Sequence, residues 1–333
     1  MLGHGGDYPH SPRLSSNFSP VWPWLMGGFS LVLLMAVVLV AEPLRVWELI
    51  ETSAKGPLMF AAALGLLASL LRALKWNALL GLDIRTVYPV QMVGVTLGTL
   101  SPGNVAEPLK LWLLKAHGGM PVTASLPTLI LERLVELMVI IALAGSVWGG
   151  SGVFWGTLAL AALAPLGSRR WRRRLGKELV AWGWLTRRVP AAPRVLAALL
   201  SYRPRWTALG WATVLTLGLW WVEGLILWGA LQAVGEGLSP WFLAGVLASG
   251  VLIGALSAMP GGLGSFEATV VAILTAVVDD MAVATAAVLL YRTLSFGLSA
   301  LLGALALGHL SRRYRWSFRA APGAPEPQCH GPL

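Results

Sequence analysis

The chain has 333 residues, a formal net charge of +10, and a composition that is 56% hydrophobic and only 12% Asp, Glu, Lys and Arg. That charged share is about half of what soluble globular chains carry, which excludes an ordinary water-soluble fold. Residues 14–41, 86–106, 137–168 and 237–266 contain no charged side chain, and about 20 apolar residues suffice for a helix to cross the hydrocarbon layer. These runs are continuous and do not alternate with period two, which excludes an outer-membrane barrel.

Taken in chain order, residues 1–20 are rich in Pro, Ser, Gly and His and form a tail too polar to offset the entropy of ordering. Helices are predicted near 21–41, 57–80, 86–99, 104–117, 123–147, 152–167, 207–231, 241–258, 264–279 and 282–310. The first lacks the basic start and small-residue cleavage pattern of a signal peptide, so it reads as a retained span. Segments 86–99 and 104–117 would each be about 21 Å long, short of the hydrocarbon thickness. They are joined by the breaker cluster Ser101-Pro102-Gly103-Asn104, which points to a re-entrant hairpin over 86–117.

The stretch 169–205 carries eleven basic residues against the single acid Glu178, with Trp171, Trp182 and Trp184 within it and Trp206 beside it. Between membrane helices, this composition fits a basic amphipathic cytoplasmic linker with a short helix lying on anionic lipid, rather than a nucleic-acid site. The next pair, 241–279, is broken at Pro260-Gly261-Gly262-Leu263-Gly264. Residues 311–333 form a basic and then Pro/Ala-rich tail, and the only cysteine, Cys329, lies there. An intramolecular disulfide and a cysteine metal site are thereby excluded.

Basic residues mark one side of the membrane: Arg72, Lys75 and Arg85 at the end of the second helix, the linker 169–205, and Arg312, Arg313, Arg315 and Arg319. The expected fold is an all-α polytopic membrane protein in two halves, 21–168 and 206–310. It has about six full spans and two broken or re-entrant helical hairpins entering from opposite faces, the pattern of an inverted repeat. Eight spans with one re-entrant hairpin satisfy the same parity. Both termini are expected on the cytoplasmic side of a bacterial cytoplasmic membrane.

Helices 104–117 and 264–279 would each begin at a break, where free N–H groups and the positive dipole end suit a phosphate or carboxylate. The same Pro and Gly residues also suit close helix packing. Charged residues near the breaks are more selective, because a charge in hydrocarbon requires a partner. Glu107 and Lys110 are spaced to meet on one helix face. Glu132, Arg133 and Glu136 open the following span, with Arg133 able to reach Glu107 or a lipid phosphate. Glu267 lies in the first turn after the second break, and Arg292 lies deep in the last span. Arg72 and Lys75 suit either headgroup contact or snorkelling to the interface, and Glu223 is an intramembrane acid with no assignable partner. Glu107, Arg133, Glu267 and Arg292 are expected to converge on a water-accessible cavity bounded by the two breaks.

The ordered motifs Arg72-x2-Lys75-Trp76-x2-Leu79-Leu80, Ser101-Pro102-Gly103-Asn104-x2-Glu107-x2-Lys110, Glu132-Arg133-x2-Glu136 and Pro260-Gly261-Gly262-Leu263-Gly264-x2-Glu267, followed by Tyr291-Arg292, resemble the membrane region of lysylphosphatidylglycerol synthases and its free-standing flippase-like relatives. The resemblance covers most of residues 20–310. It implies translocation of charged or glycosylated lipids and singles out Pro102, Gly103, Asn104, Glu107, Glu132, Arg133, Pro260, Gly261, Gly262, Gly264 and Glu267. Two departures stand out: Lys110 occupies a place where the family usually has Arg, and Glu136 one where it usually has Asp. Charge survives both changes, whereas the two-pronged grip of a guanidinium on phosphate does not survive the first.

These observations lead to the expectation of a translocase that moves a charged or phosphate-bearing lipid, aminoacylated or glycosylated lipids included, between leaflets. Its substrate-binding residues would be Arg72, Lys75, Asn104, Glu107, Lys110, Glu132, Arg133, Glu136, Glu267 and Arg292. The alternative is a non-transporting scaffold or accessory subunit that binds anionic lipid or a lipid-modifying enzyme. Expected partners are a membrane phospholipid or polyprenyl-linked lipid and a separate lipid-modifying enzyme, with no nucleic acid, cofactor or metal. No nucleotide loop or catalytic constellation is evident, so uphill transport would draw on a gradient or a partner.

Overall fold

A computed structural model describes residues 21–101, 106–149, 202–203, 205–257 and 259–314, all of whose regular elements are helical. The helices are α1 (Val21–Val40), α2 (Pro43–Glu51), α3 (Lys55–Leu80), α4 (Ile84–Leu100), α5 (Leu109–Gly118), α6 (Val122–Val147), α7 (Trp206–Ala233), α8 (Pro240–Leu256), α9 (Ser265–Val278), α10 (Met281–Arg292) and α11 (Leu298–Tyr314). A single wide turn, Thr293–Gly297, joins α10 to α11 without breaking the rod. The expected helix at 152–167, nearly all of the linker, Pro102, Gly103 and Asn104 lie outside the described residues.

Among the described residues, three helices are long and apolar enough to cross a membrane: α3, α7 and the rod Met281–Arg312. The protein is therefore a multi-spanning all-α membrane protein. Helix α6 is comparable in length, with 26 residues spanning about 39 Å, but it carries Glu132, Arg133 and Glu136 near its middle.

Local chemistry sets the helix ends. The chain leaves α3 through Gly81 in the left-handed conformation (φ 69°). Asp83 then caps α4 by accepting from Arg85 N at 3.0 Å. Asp280 does the same for α10, accepting from Ala282 N and Val283 N at 2.9 and 3.1 Å. Two expectations are corrected here. Residues 43–55, which fall between the helices predicted near 21–41 and 57–80, contain α2, whose Pro43 occupies the first turn; the helix ties to the start of α10 through the Arg45–Asp280 ion pair. Helix 104–117 begins only at Leu109, because Pro108 enters as its cap, so Glu107 sits in the turn before the helix.

Two groups of contacts mark the two ends of the bundle. At one end the Tyr202 hydroxyl donates to Leu79 O at 3.3 Å, and Leu310 packs with Trp76, Val87 and Leu114. At the other, Ala54 N donates to Ala233 O at 2.8 Å, and α2 packs with Met281 and Ala282. The pair α4–α5 starts and finishes at the first end, since a methyl placed on Gly118 would touch Thr86 at 3.0 Å. The pair α8–α9 follows α7 and precedes α10 at the second end. Where the two pairs meet, a methyl on Gly261 would lie 2.9 Å from Thr99 O, two residues before Ser101. The second break thus abuts the tip of the first pair.

Candidate functional site

Five basic and five acidic side chains meet inside this bundle. Six of them form a closed ring of alternating charge drawn from α3, the turn before α5, α5 and α6. Lys75 Nζ lies 3.4 Å from Glu132 and 2.9 Å from Glu136. Lys110 Nζ lies 3.1 Å from Glu132 and 2.9 Å from Glu107. Arg133 closes the circuit, pairing with Glu107 and, at 2.8 Å, with Glu136. Three positive and three negative groups cancel, which is the arrangement that makes such a cluster tolerable away from water.

Lys110 is the centre of the ring's buried side. It is fully enclosed, donates to Gln91 Oε1 at 3.0 Å, and sits 4.3 Å over the Trp76 ring. Trp76 is held in turn by its Nε1–H bond to Thr128 Oγ1 at 3.2 Å. Helix α4 can approach this closely only because it presents glycine. A methyl on Gly94 would lie 2.8 Å from Lys110 Cβ, and one on Gly98 would lie 3.1 Å from Glu107 Cβ.

The remaining charges form two separate pairs. Arg72 binds Glu223 and donates to Ser299 Oγ at 3.1 Å. Glu223 also accepts from the Tyr291 and Ser295 hydroxyls, each at 2.9 Å. The wide turn at Thr293–Gly297 is what brings Ser295 to Glu223; such one-turn widenings occur often at functional sites. Arg292 Nε stands 2.6 Å from Glu267 Oε1 without the alignment of a hydrogen bond. Its guanidinium lies 4.1 Å over Phe266 and 5.2 Å over Phe296.

Between these groups lies a cavity of about 300 Å³, at mid-length of α6, α7 and the α10–α11 rod. Arg72, Arg133, Arg292, Glu136 and Glu223 line it, together with Gly261 and Gly262 of the second break and apolar residues including Trp220 and Phe266. A smaller cavity of about 100 Å³ shares Arg72, Arg133 and Glu136 and adds Lys75, Gln91 and Glu107. Each arginine beside the larger cavity is more open than the acids it pairs with, whereas Lys75 is more enclosed than Glu136. Arg72 is 20% exposed against 4% for Glu223, and Arg292 15% against 2% for Glu267. Arg133 is 41% exposed against 8% for Glu107 and 16% for Glu136; its head lies deep in the bundle yet faces open space.

The expected site residues thus divide. Arg72, Arg133, Glu136 and Arg292 line the larger cavity and Lys75 and Glu107 the smaller, whereas Lys110, Glu132 and Glu267 stand behind the walls. Of the four residues expected to converge, Arg133 and Arg292 line one cavity and Glu107 the other, while Glu267 pairs with Arg292 and lines neither. Snorkelling is corrected for Arg72 and Lys75, whose charges turn into the bundle. The second break also differs from an open anion site: Glu267 Oε2 accepts from Gly264 N at 2.6 Å, so α9 is capped by its own acid. Glu223 receives the partner that sequence could not name, since 151 residues separate it from Arg72. Tyr291 and Ser295 carried no separate signal as hydroxyl donors to it.

Fold and site together define a polytopic helical membrane protein with a charged chamber at the meeting point of two broken helix pairs. Residues 24–303 match the family described as the lysylphosphatidylglycerol synthase TM region. The chain belongs to that family. No curated protein matches it. Among the described residues, no group of three or more His, Cys, Asp or Glu is placed to hold a metal ion.

Proposed function

We propose that the protein is a lipid translocase in which a phosphate-bearing headgroup passes through the larger cavity while its chains stay in the surrounding hydrocarbon. The observation that carries this reading is the make-up of the wall: three arginines line the chamber, each more open than the acids it pairs with, against two carboxylates, Glu136 and Glu223. Such a wall replaces headgroup hydration with fixed donors, and the counter-charges keep the arginines affordable when the chamber is empty. A volume of about 300 Å³ is at the lower end for small-ligand pockets; it suits a headgroup and not a whole lipid. On this reading α4–α5 and α8–α9 are re-entrant hairpins from opposite faces within six full spans, in the cytoplasmic membrane of a bacterium with both termini inside. A separate lipid-modifying enzyme would supply or consume the lipid.

The test is leaflet exchange in vesicles containing the purified full chain and a panel of labelled phospholipids and polyprenyl phosphates. Exchange of at least one phosphate-bearing lipid well above that of empty vesicles is expected, reduced about ten-fold or more by Arg133→Gln, a larger loss than the variant's lowered thermal unfolding midpoint accounts for. An inert wild-type protein across the whole panel would leave a lipid-binding scaffold as the better description.

A further inference from the structure

A groove of about 790 Å³ lies at the end of the bundle where α3 finishes and α7 begins. Arg203 and Arg205, which precede α7, stand at its outer end, and both are exposed. Each arginine of the chamber has a carboxylate within reach. Neither of these two has an ion pair or a side-chain hydrogen bond among the described residues. The surrounding sequence supplies little counter-charge: residues 169–205, to which both belong, hold eleven basic side chains against Glu178 alone. Arg312 and Arg313 follow Leu310 at the same end of the bundle.

The rest of the groove is apolar. Leu74 and Ala78 on α3, and Trp211 and Leu215 on α7, are one turn apart on their helices and line its length. Both helices are long and apolar enough to cross the membrane, so the seam between them continues the groove from the arginines into hydrocarbon. From Thr207 to Leu215 it descends about 12 Å at 1.5 Å per residue, which is deep enough for the upper part of an acyl chain. Tyr202 fixes the outer end in place, since its hydroxyl donates to Leu79 O at 3.3 Å and its ring packs with Leu79 and Ala212. Trp211, 62% exposed, has the amphipathic ring that suits the level of the headgroups.

We propose that this groove retains an anionic phospholipid of the adjacent leaflet as a fixed part of the protein's boundary, with its phosphate on Arg203 and Arg205 and one chain in the α3–α7 seam. Guanidinium groups without a carboxylate grip phosphate oxygens in two-pronged fashion. A soluble phosphate compound would leave the apolar seam empty, and a zwitterionic lipid would bring its own ammonium toward the arginines. This lipid is distinct from a headgroup in passage, because no residue of the groove lines either cavity of the charged site. The inference therefore does not depend on translocation.

The test reads the groove locally. The full chain carrying Cys329→Ser and Trp206→Cys is labelled with bimane at residue 206, which is exposed beside Arg205, and placed in phosphatidylcholine nanodiscs. Quenching by doxyl-labelled phosphatidylglycerol is compared with quenching by doxyl-labelled phosphatidylcholine at equal mole fraction. Two arginines near anionic lipid should give the phosphatidylglycerol a preference of about ten-fold. Arg203→Gln with Arg205→Gln should remove most of that preference, and Arg133→Gln, in the chamber, should leave it unchanged. Unlabelled phosphatidylglycerol should reverse the quenching, whereas glycerol phosphate at the same concentration should not. Equal quenching by the two lipids would overturn the proposal, and a preference that survives the double substitution would reduce it to diffuse attraction by the linker. Equal reversal by glycerol phosphate would overturn the lipid component, and loss of the preference in Arg133→Gln would move the lipid to the chamber. Absence of leaflet exchange would defeat the translocase and leave this site standing.

Discussion

The two helix breaks use the same sequence device, a Pro/Gly turn followed by an acid, and obtain different structures from it. Glu107 after the first break serves Lys110 and Arg133 at once and so belongs to the six-membered ring. Glu267 after the second break serves Gly264 N and a single cation, Arg292. The first break therefore depends on charges brought by α3 and α6, whereas the second is largely self-contained: its turn is made by Gly261, Gly262 and Gly264 with φ of 58°, 65° and 86°, and its helix is capped from within. An acid near a break can be a cap, a counter-ion or both, and only its neighbours decide which.

Glu132→Gln should produce the largest effect, because it leaves Lys75 and Lys110, both buried, short of a counter-charge. Removal of one member of a buried ion pair costs about 3–5 kcal/mol, visible as a clear fall in the unfolding midpoint of the detergent-solubilised protein. Glu267→Gln should fall less, since the amide oxygen can still accept from Gly264 N. Equal losses would dissolve the distinction between a shared ring and a self-contained turn.

An intermediate effect is expected at the glycines. Gly264→Ala combines a left-handed backbone with a methyl 2.9 Å from Ser30 O and Leu33 Cβ, whereas Gly81→Ala, at φ 69°, meets open space. Backbone strain alone is roughly 1–2 kcal/mol, so both variants should lose that much and Gly264→Ala measurably more. The same unfolding assay compares them, and equal losses would show that the α9 turn yields without strain against α1.

Trp76→Phe is expected to be the mildest. It deletes one hydrogen bond to Thr128 and weakens the aromatic face under Lys110, together about 1–2 kcal/mol, and leaves the ring of charges complete. Leaflet exchange should remain within a few-fold of the unaltered chain. A loss as large as that of Glu132→Gln would mean that Lys110 is held by the indole more than by its carboxylates.

Much of the architecture was legible in the chain. Uncharged runs of sufficient length require hydrocarbon, and Pro-Gly clusters inside such runs require interruptions, because both follow from local composition and helix geometry. The i,i+3 pairs Glu107–Lys110 and Arg133–Glu136 could also be read, since helix periodicity sets them. Helix α2 was not legible: its nine residues include Arg45, Glu48 and Glu51 and resemble a loop until Arg45 finds Asp280, 235 residues away.

Sequence by itself determined that this is a membrane protein, that two of its helical segments are broken, and that a balanced set of charges must be satisfied within it. Each conclusion rests on the energetics of polar groups in lipid, which every segment meets on its own. Tertiary structure alone decided that Lys75, Glu132, Lys110, Glu107, Arg133 and Glu136 close into one ring, that Arg72 belongs to Glu223, and that three arginines line the chamber against two glutamates. Those outcomes depend on which helices become neighbours and on how closely glycine lets them approach. Coulombic attraction specifies that a buried charge needs a partner, but not which of several opposite charges along the chain arrives within reach.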